Sequence, residues 1–142
     1  MDKPQEPIAH VKGNAREGWV PQPLGEHLEA TARIAGEFAA AFGNRDWGEL
    51  LGFWHDLGKF VPDWQMHIRK GSGYDADAHI ETYGGRVNHS SAGAVLAFER
   101  LKGHPVARAL SYPIAGHHAG LPDWYADEAP GEPLPNRVYK DP

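Results

Sequence analysis

Two amphipathic stretches lying back to back constrain most strongly what this chain can fold into. Over residues 24–42, Leu28, Ala32, Ala35, Phe38, Ala39 and Phe42 recur at three- and four-residue spacing. That period predicts a helix with one face in a core. Gly43-Asn44, a pair that tolerates left-handed backbone, marks its end. Over 46–57, Trp47, Leu50, Leu51 and Trp54 form a second apolar face, with Gly58 as the stop. Pro62 is placed to open a short third helix carrying Trp64, Met66 and Ile68. A fourth is expected over 89–101 with Ala92, Val95, Leu96 and Phe98 apolar, and a fifth from Pro105 through about 118. Pro113 lies inside the fifth and predicts a kink or a split. No segment reads as a strand, so the expected fold class is all-α, a helical bundle.

The remaining stretches organise the chain. Its 142 residues suit one domain. Residues 1–23 are rich in proline, glycine and charge and read as an irregular lead-in. Residues 70–88 are polar, with four glycines and no sustained period, and read as a long loop. Residues 121–142 are dominated by proline, glycine and acidic residues and show no helical pattern. The folded domain is therefore expected over 24–120, with long irregular loops. The N-terminus carries no apolar run of the signal-peptide kind. No stretch approaches the ~20 apolar residues of a membrane span. There is no cysteine, so thiolate metal sites and disulfides are excluded, and a reducing cytoplasm fits. The net charge of −5 argues against a chain that grips nucleic acid unaided.

Nine histidines are the unusual part of the composition, and their placement matters more than their number. His27, His55, His89 and the pair His117-His118 fall at expected helix starts or ends, and Asp56 adjoins His55. Helix ends that converge in a bundle can build one site. Imidazole with carboxylate suits a divalent ion such as Mn, Fe, Co, Ni or Zn. A carboxylate can also bridge two ions spaced ~3.5–4 Å apart, the arrangement that clamps a phosphodiester. Each residue alone has a bland reading. His27 is a surface or satisfied core residue, His89 a helix cap, and His55-Asp56 a hydrogen-bonded helix end. Of His117 and His118, pointing about a hundred degrees apart on a helix, one faces solvent. Together, in this order, they favour the shared site. His10, His67, His79 and His104 read as ordinary residues, with His79 in the long loop the first candidate for an exception.

The run Leu50-Leu51-Gly52-Phe53-Trp54-His55-Asp56-Leu57-Gly58-Lys59 resembles the H-D-x-G-K signature of HD-superfamily phosphohydrolases. Gly25-Glu26-His27-Leu28, Asn88-His89-Ser90-Ser91-Ala92-Gly93-Ala94 and Ala115-Gly116-His117-His118-Ala119-Gly120-Leu121-Pro122-Asp123 resemble the HD nuclease domain of the type I CRISPR helicase-nuclease. The likeness covers about residues 15–125. It implies an HD-superfamily helical bundle with a central site for two divalent transition-metal ions, Mn, Fe, Co or Ni, with Zn or Mg as alternatives. By position, His27, His55 and Asp56 would hold one ion. Asp56, His89, His117 and His118 would hold the other. Asp56 and Lys59 would be the catalytic groups, Lys59 as a positive charge near the scissile phosphate. The alternative for Lys59 is an exposed cation favoured by a helix C-terminus, worth only ~0.3–1 kcal/mol.

The implied function is single-stranded DNA endonuclease in CRISPR interference, with single-stranded DNA, a helicase subunit or domain and the RNA-guided effector complex as partners. The family pattern adds an aspartate on a later helix. Asp123, Asp127 and Asp141 follow the histidine pair outside such a context, so a piece of a longer domain or a shortened one with a weaker first site is expected. Two further readings are an HD hydrolase acting on nucleotides, and a catalytically incomplete helical module docking on a helicase or effector complex. In the docking reading Trp124, in the segment Pro122-Asp123-Trp124-Tyr125, would be a contact residue.

Overall fold

The computed structural model describes residues 5–74, 89–118 and 120. The expected loop beyond residue 74 with His79, and the 121–142 segment with Asp123, Asp127, Asp141, Trp124 and Tyr125, lie outside the described residues.

The chain opens with a hairpin, β1 (Ile8–Asn14) and β2 (Gly18–Pro23), followed by α1 (Leu24–Ala40), α2 (Arg45–Trp54), a 3₁₀ turn (Leu57–Phe60), α3 (Pro62–Ser72), α4 (Ser90–Arg100) and α5 (Val106–Gly116). The fold is thus mostly helical with one small antiparallel sheet. This corrects the expectation of an irregular lead-in and of a wholly helical chain. Asn14 makes the hairpin loop: its Oδ1 accepts the Arg16 and Glu17 N–H groups, and its Nδ2 donates to Glu17. The ladder slips between Ile8, opposite Pro23, and His10, opposite Gln22. The strand is fastened to α3 by a side chain: Ile8 N–H donates to Gln65 Oε1 and Gln65 Nε2 donates to the Ile8 carbonyl, both at 2.9 Å.

Helices α1 and α2 pack through a seam of small residues. A Cβ on Gly48 would stand 2.7 Å from that of Ala39, and one on Gly52 2.7 Å from the Thr31 carbonyl carbon. Backbones this close leave no room for aromatics. Phe38 and Phe42, expected in the core, are 74% and 70% exposed instead, and Trp47 is 42% exposed. The buried face of α1 is Leu24, Leu28, Ala32, Gly36 and Ala39.

The main core lies between α4 and α5. Ala94, Ala97, Val106, Leu110, Ile114 and Ala115 are buried there, with Leu50, Leu51 and Trp54 of α2 against them. A second cluster, Ala9, Leu24 and Leu28 with Leu57, seats the hairpin beside the start of α1. Helix α5 runs through Pro113 without the expected split. The missing N–H costs one ladder bond near the end of the helix, where little helix remains to be held. Pro62 opens α3 as expected.

Candidate metal centre

The last carbonyls of a helix have no partner within it. His55 and His117 occupy the C-cap positions of α2 and α5 and use that vacancy in the same way. His55 Nδ1 donates to the Gly52 carbonyl at 2.7 Å, and His117 Nδ1 donates to the Ile114 carbonyl at 2.6 Å. A carbonyl only accepts, so each ring carries a proton on Nδ1 and turns Nε2 inward, a lone pair when the ring is neutral and a donor to Asp56 when it is protonated. Orientation of a histidine ligand by a bond from its other nitrogen is the usual arrangement at metal sites.

Both Nε2 atoms meet Asp56, which follows His55 directly and is 2% exposed. The carboxylate divides its surroundings. Oδ2 faces His27 Nε2 at 3.0 Å, His55 Nε2 at 3.1 Å and Lys59 Nζ at 2.9 Å. Oδ1 faces His117 Nε2 at 3.3 Å, His89 Nε2 at 3.4 Å and His118 Nε2 at 4.0 Å. His27 and His55 approach each other to 3.2 Å through Nε2, and His89 and His118 to 2.7 Å. All six histidine and aspartate positions singled out from the sequence therefore come together. His89 holds the N-cap position of α4 but makes no side-chain cap bond. His117 and His118 both turn to Asp56, because His118 lies beyond the end of α5 and is free of the helical hundred-degree offset.

Two close backbone approaches set α4 against this segment. Gly58 lies against His89, where a Cβ would overlap the carbonyl oxygen and stand 2.6 Å from Cα. Gly93 lies against Trp54, where a Cβ would overlap the carbonyl oxygen and stand 2.8 Å from its carbon. The two contacts bracket His55-Asp56 and fix where His89 can stand.

Lys59 is 2% exposed, so the reading as an exposed helix-end cation does not hold. Its ammonium pairs with Asp56, donates to the Ala9 carbonyl at 3.3 Å and lies 5.0 Å from the Trp64 ring centroid. Burial alone would push the Asp56 carboxyl up. Hydrogen bonds from His117, His55 and Lys59 outweigh it and hold the group far below the usual carboxylate range. Burial lowers His10, His27 and His118, and lowers His89 to about 4. For His55 burial also acts downward, but the Asp56 hydrogen bond and charge raise it.

Two neighbours were missed in the sequence. Trp64, read only as an apolar residue of α3, donates its indole N–H to His89 Nδ1 at 3.1 Å. In the metal-free chain His89 then keeps its proton on Nε2, the atom facing Asp56; to hold an ion through Nε2 the ring would have to move that proton to Nδ1 and give up the Trp64 bond. His10, read as ordinary, stands beside His27 with ring centroids 4.9 Å apart. The only sequence signal for it was the Asn14–Gly18 turn that folds β1 back, since no other histidine lies near it in the chain. His67 and His104 take no part in the cluster.

Nitrogen and carboxylate oxygen donors of this kind fit a divalent first-row ion. Among the described residues, two groups have donor atoms within 4.8 Å of one another: Asp56, His89, His117 and His118, and His10, His27 and Asp56.

A buried carboxylate in a ring of imidazoles at helix ends is the constellation of an HD-type metal-dependent hydrolase. The family described as Cas3, HD domain, matches residues 10–136, most of the chain, and the chain belongs to that family. Membership implies a metal-dependent nuclease domain of CRISPR systems. A search of curated proteins finds no match. No helix among the described residues is long and apolar enough to cross a membrane.

Proposed function

We propose that this chain is a two-ion phosphodiesterase that cuts single-stranded DNA in CRISPR interference, in the cytoplasm, beside a helicase subunit or domain and the RNA-guided effector complex. The observation that carries the reading is the division of Asp56, one buried carboxylate with imidazoles on each oxygen. His27, His55 and Asp56 would hold one ion, and Asp56, His89, His117 and His118 the other. The ions expected from the family resemblance are Mn, Fe, Co or Ni, with Zn or Mg as alternatives, and the imidazole and carboxylate donors are compatible with them. When bound, such ions supply Lewis acidity and acidify a water near neutral pH.

The chain's own residues do the positioning. Asp56 stays anionic at any working pH, because its hydrogen bonds outweigh its burial. Lys59 pairs with the Oδ2 edge and would place a positive charge near a phosphate bound at the cluster. The Gly52 and Ile114 carbonyls keep His55 and His117 in the tautomer that offers Nε2. His118, with half its side chain exposed, marks the side from which a strand can enter. The net charge of −5 assigns the grip on DNA to a partner.

The test is metal content by mass spectrometry together with cutting of labelled single-stranded DNA in Mn, Co, Ni or Mg, for the parent and for Asp56→Asn. Two ions per chain and cutting that vanishes in the variant are expected. A folded, metal-replete parent that leaves DNA intact, or that instead releases phosphate from small nucleotides, refutes the reading.

A further inference from the structure

We infer that His10 is an additional protein ligand on the Oδ2 side of Asp56, so that His10, His27, His55 and Asp56 together receive one divalent ion. The inference rests on the metal-binding reading above and adds a residue to it from an element outside the helical bundle.

The geometry comes from the hairpin. His10, His27 and Asp56 each offer one donor atom, and these atoms lie within 4.8 Å of one another. The His10 ring meets the His27 ring edge-on, with centroids 4.9 Å apart and planes at 80°. His55 Nε2 is 3.2 Å from His27 Nε2 and 3.1 Å from Asp56 Oδ2. His10 therefore shares a donor group with His27 and Asp56, and His55 joins it through its contacts to those two residues.

His10 is not on a loose arm. Ile8 is held by both bonds to Gln65, and the Ala9 carbonyl receives the Lys59 ammonium. Ile8 and Ala9 are both buried, which breaks the in–out alternation of a regular strand. The slipped register between Ile8 and His10 explains how this is possible. Irregularities of this kind commonly re-aim a side chain next to a functional site. Here the residue after the slip is the one beside His27.

The chemistry favours a further neutral donor on this edge. His27, His55 and Asp56 alone leave open at least one position of a four- to six-coordinate ion. Lys59 also occupies Oδ2 and repels an incoming cation. A neutral imidazole adds a ligand without adding charge or needing a further buried carboxylate. The plain alternative is an exposed histidine on a strand, with no part in binding.

The experiment uses the full 142-residue chain, stripped of metal and titrated with Co²⁺, for the parent, His10→Ala and the remote surface control His67→Ala. The readouts are calorimetric affinity for the first equivalent and the visible ligand-field band of bound Co²⁺, which changes when a ligand is lost. His10→Ala is expected to weaken that equivalent by at least the ~10–100-fold that follows loss of even an outer partner of a metal site. Its band is expected to shift, and its metal-free melting midpoint to match the parent's. His67→Ala should leave both readouts unchanged. Parent-like affinity and spectrum in His10→Ala overturn the role of His10 and leave the metal centre standing. A parent that takes up no Co²⁺ overturns both.

Discussion

Gly58→Ala tests whether close backbone approach places His89. The added Cβ would overlap the His89 carbonyl oxygen and stand 2.6 Å from its Cα, where ordinary contact begins at 3.4 Å. The neighbours are backbone atoms, so no side chain can swing aside. The start of α4 must retreat by at least about 0.8 Å, the difference between those two distances, since the carbonyl oxygen is closer still. If the side chain follows along the Nε2–Oδ1 line, His89 Nε2 moves from 3.4 Å to about 4.2 Å from Asp56 Oδ1. Overpacking of this kind costs about 1–3 kcal/mol. At about 4 °C per kcal/mol for a chain of this size, the melting midpoint falls by about 4–12 °C. A misplacement near 1 Å costs about 100-fold in rate where catalysis depends on position. The assay is a thermal melt of the metal-free protein with metal stoichiometry and DNA cutting in parallel. Gly71→Ala is the control, because nothing lies within 4 Å of its Cβ and it sits in α3. That variant gains about 0.5–1 kcal/mol from the better helix former. A Gly58→Ala protein that melts with the parent and binds as much metal refutes the reasoning.

Further perturbations address the charges around Asp56. Trp64→Phe removes the donor that fixes the proton of His89 on Nε2. The ring ¹⁵N shifts of His89 should move from the Nε2–H pattern toward the Nδ1–H pattern, at a stability cost of about 1 kcal/mol; an unchanged pattern contradicts the assignment. For metal-free protein, His89 has a folded pKa of about 4, below its unfolded value, so the unfolded state binds more protons between the two. Stability from this group is therefore full above about pH 6.5 and declines toward pH 4, and urea midpoints across that range should fall less steeply in His89→Gln. Lys59→Met strips the buried partner from Asp56 Oδ2 while leaving the histidines. It should lower the unfolding free energy of metal-free protein, measured by urea titration, by less than the ~3–5 kcal/mol typical of a broken buried pair, because His27 and His55 still face that oxygen; a full-sized loss would show that they do not compensate.

The helices were legible because their apolar periods are long, and α1 begins at Leu24 as its stripe predicts. The stripe misled at Phe38 and Phe42, since periodicity does not reveal that the partner helix presents glycines to Ala32, Ala35 and Ala39. The hairpin was not legible. Pro21 and Pro23 argue against a strand, only Ile8 and Ala9 of β1 are buried, and the ties to Gln65 and Lys59 span more than forty residues. His10 was lost with it. The six clustered residues could be read because each sits at the end of a helix that was itself readable. Their tautomers could not, because those depend on which carbonyl or indole each ring meets.

The shared carboxylate has a consequence for loading. Oδ2 serves α1 and the end of α2, while Oδ1 serves α4 and the end of α5. A cation on one oxygen draws electron density from the other and repels a second cation a few ångströms away. On the two-ion reading proposed above, the two halves would be thermodynamically linked, and the linkage reciprocal: whichever side fills first would weaken the other by the same factor. Titration should accordingly show two unequal steps, the gap between them a measure of how strongly one aspartate couples two helical pairs.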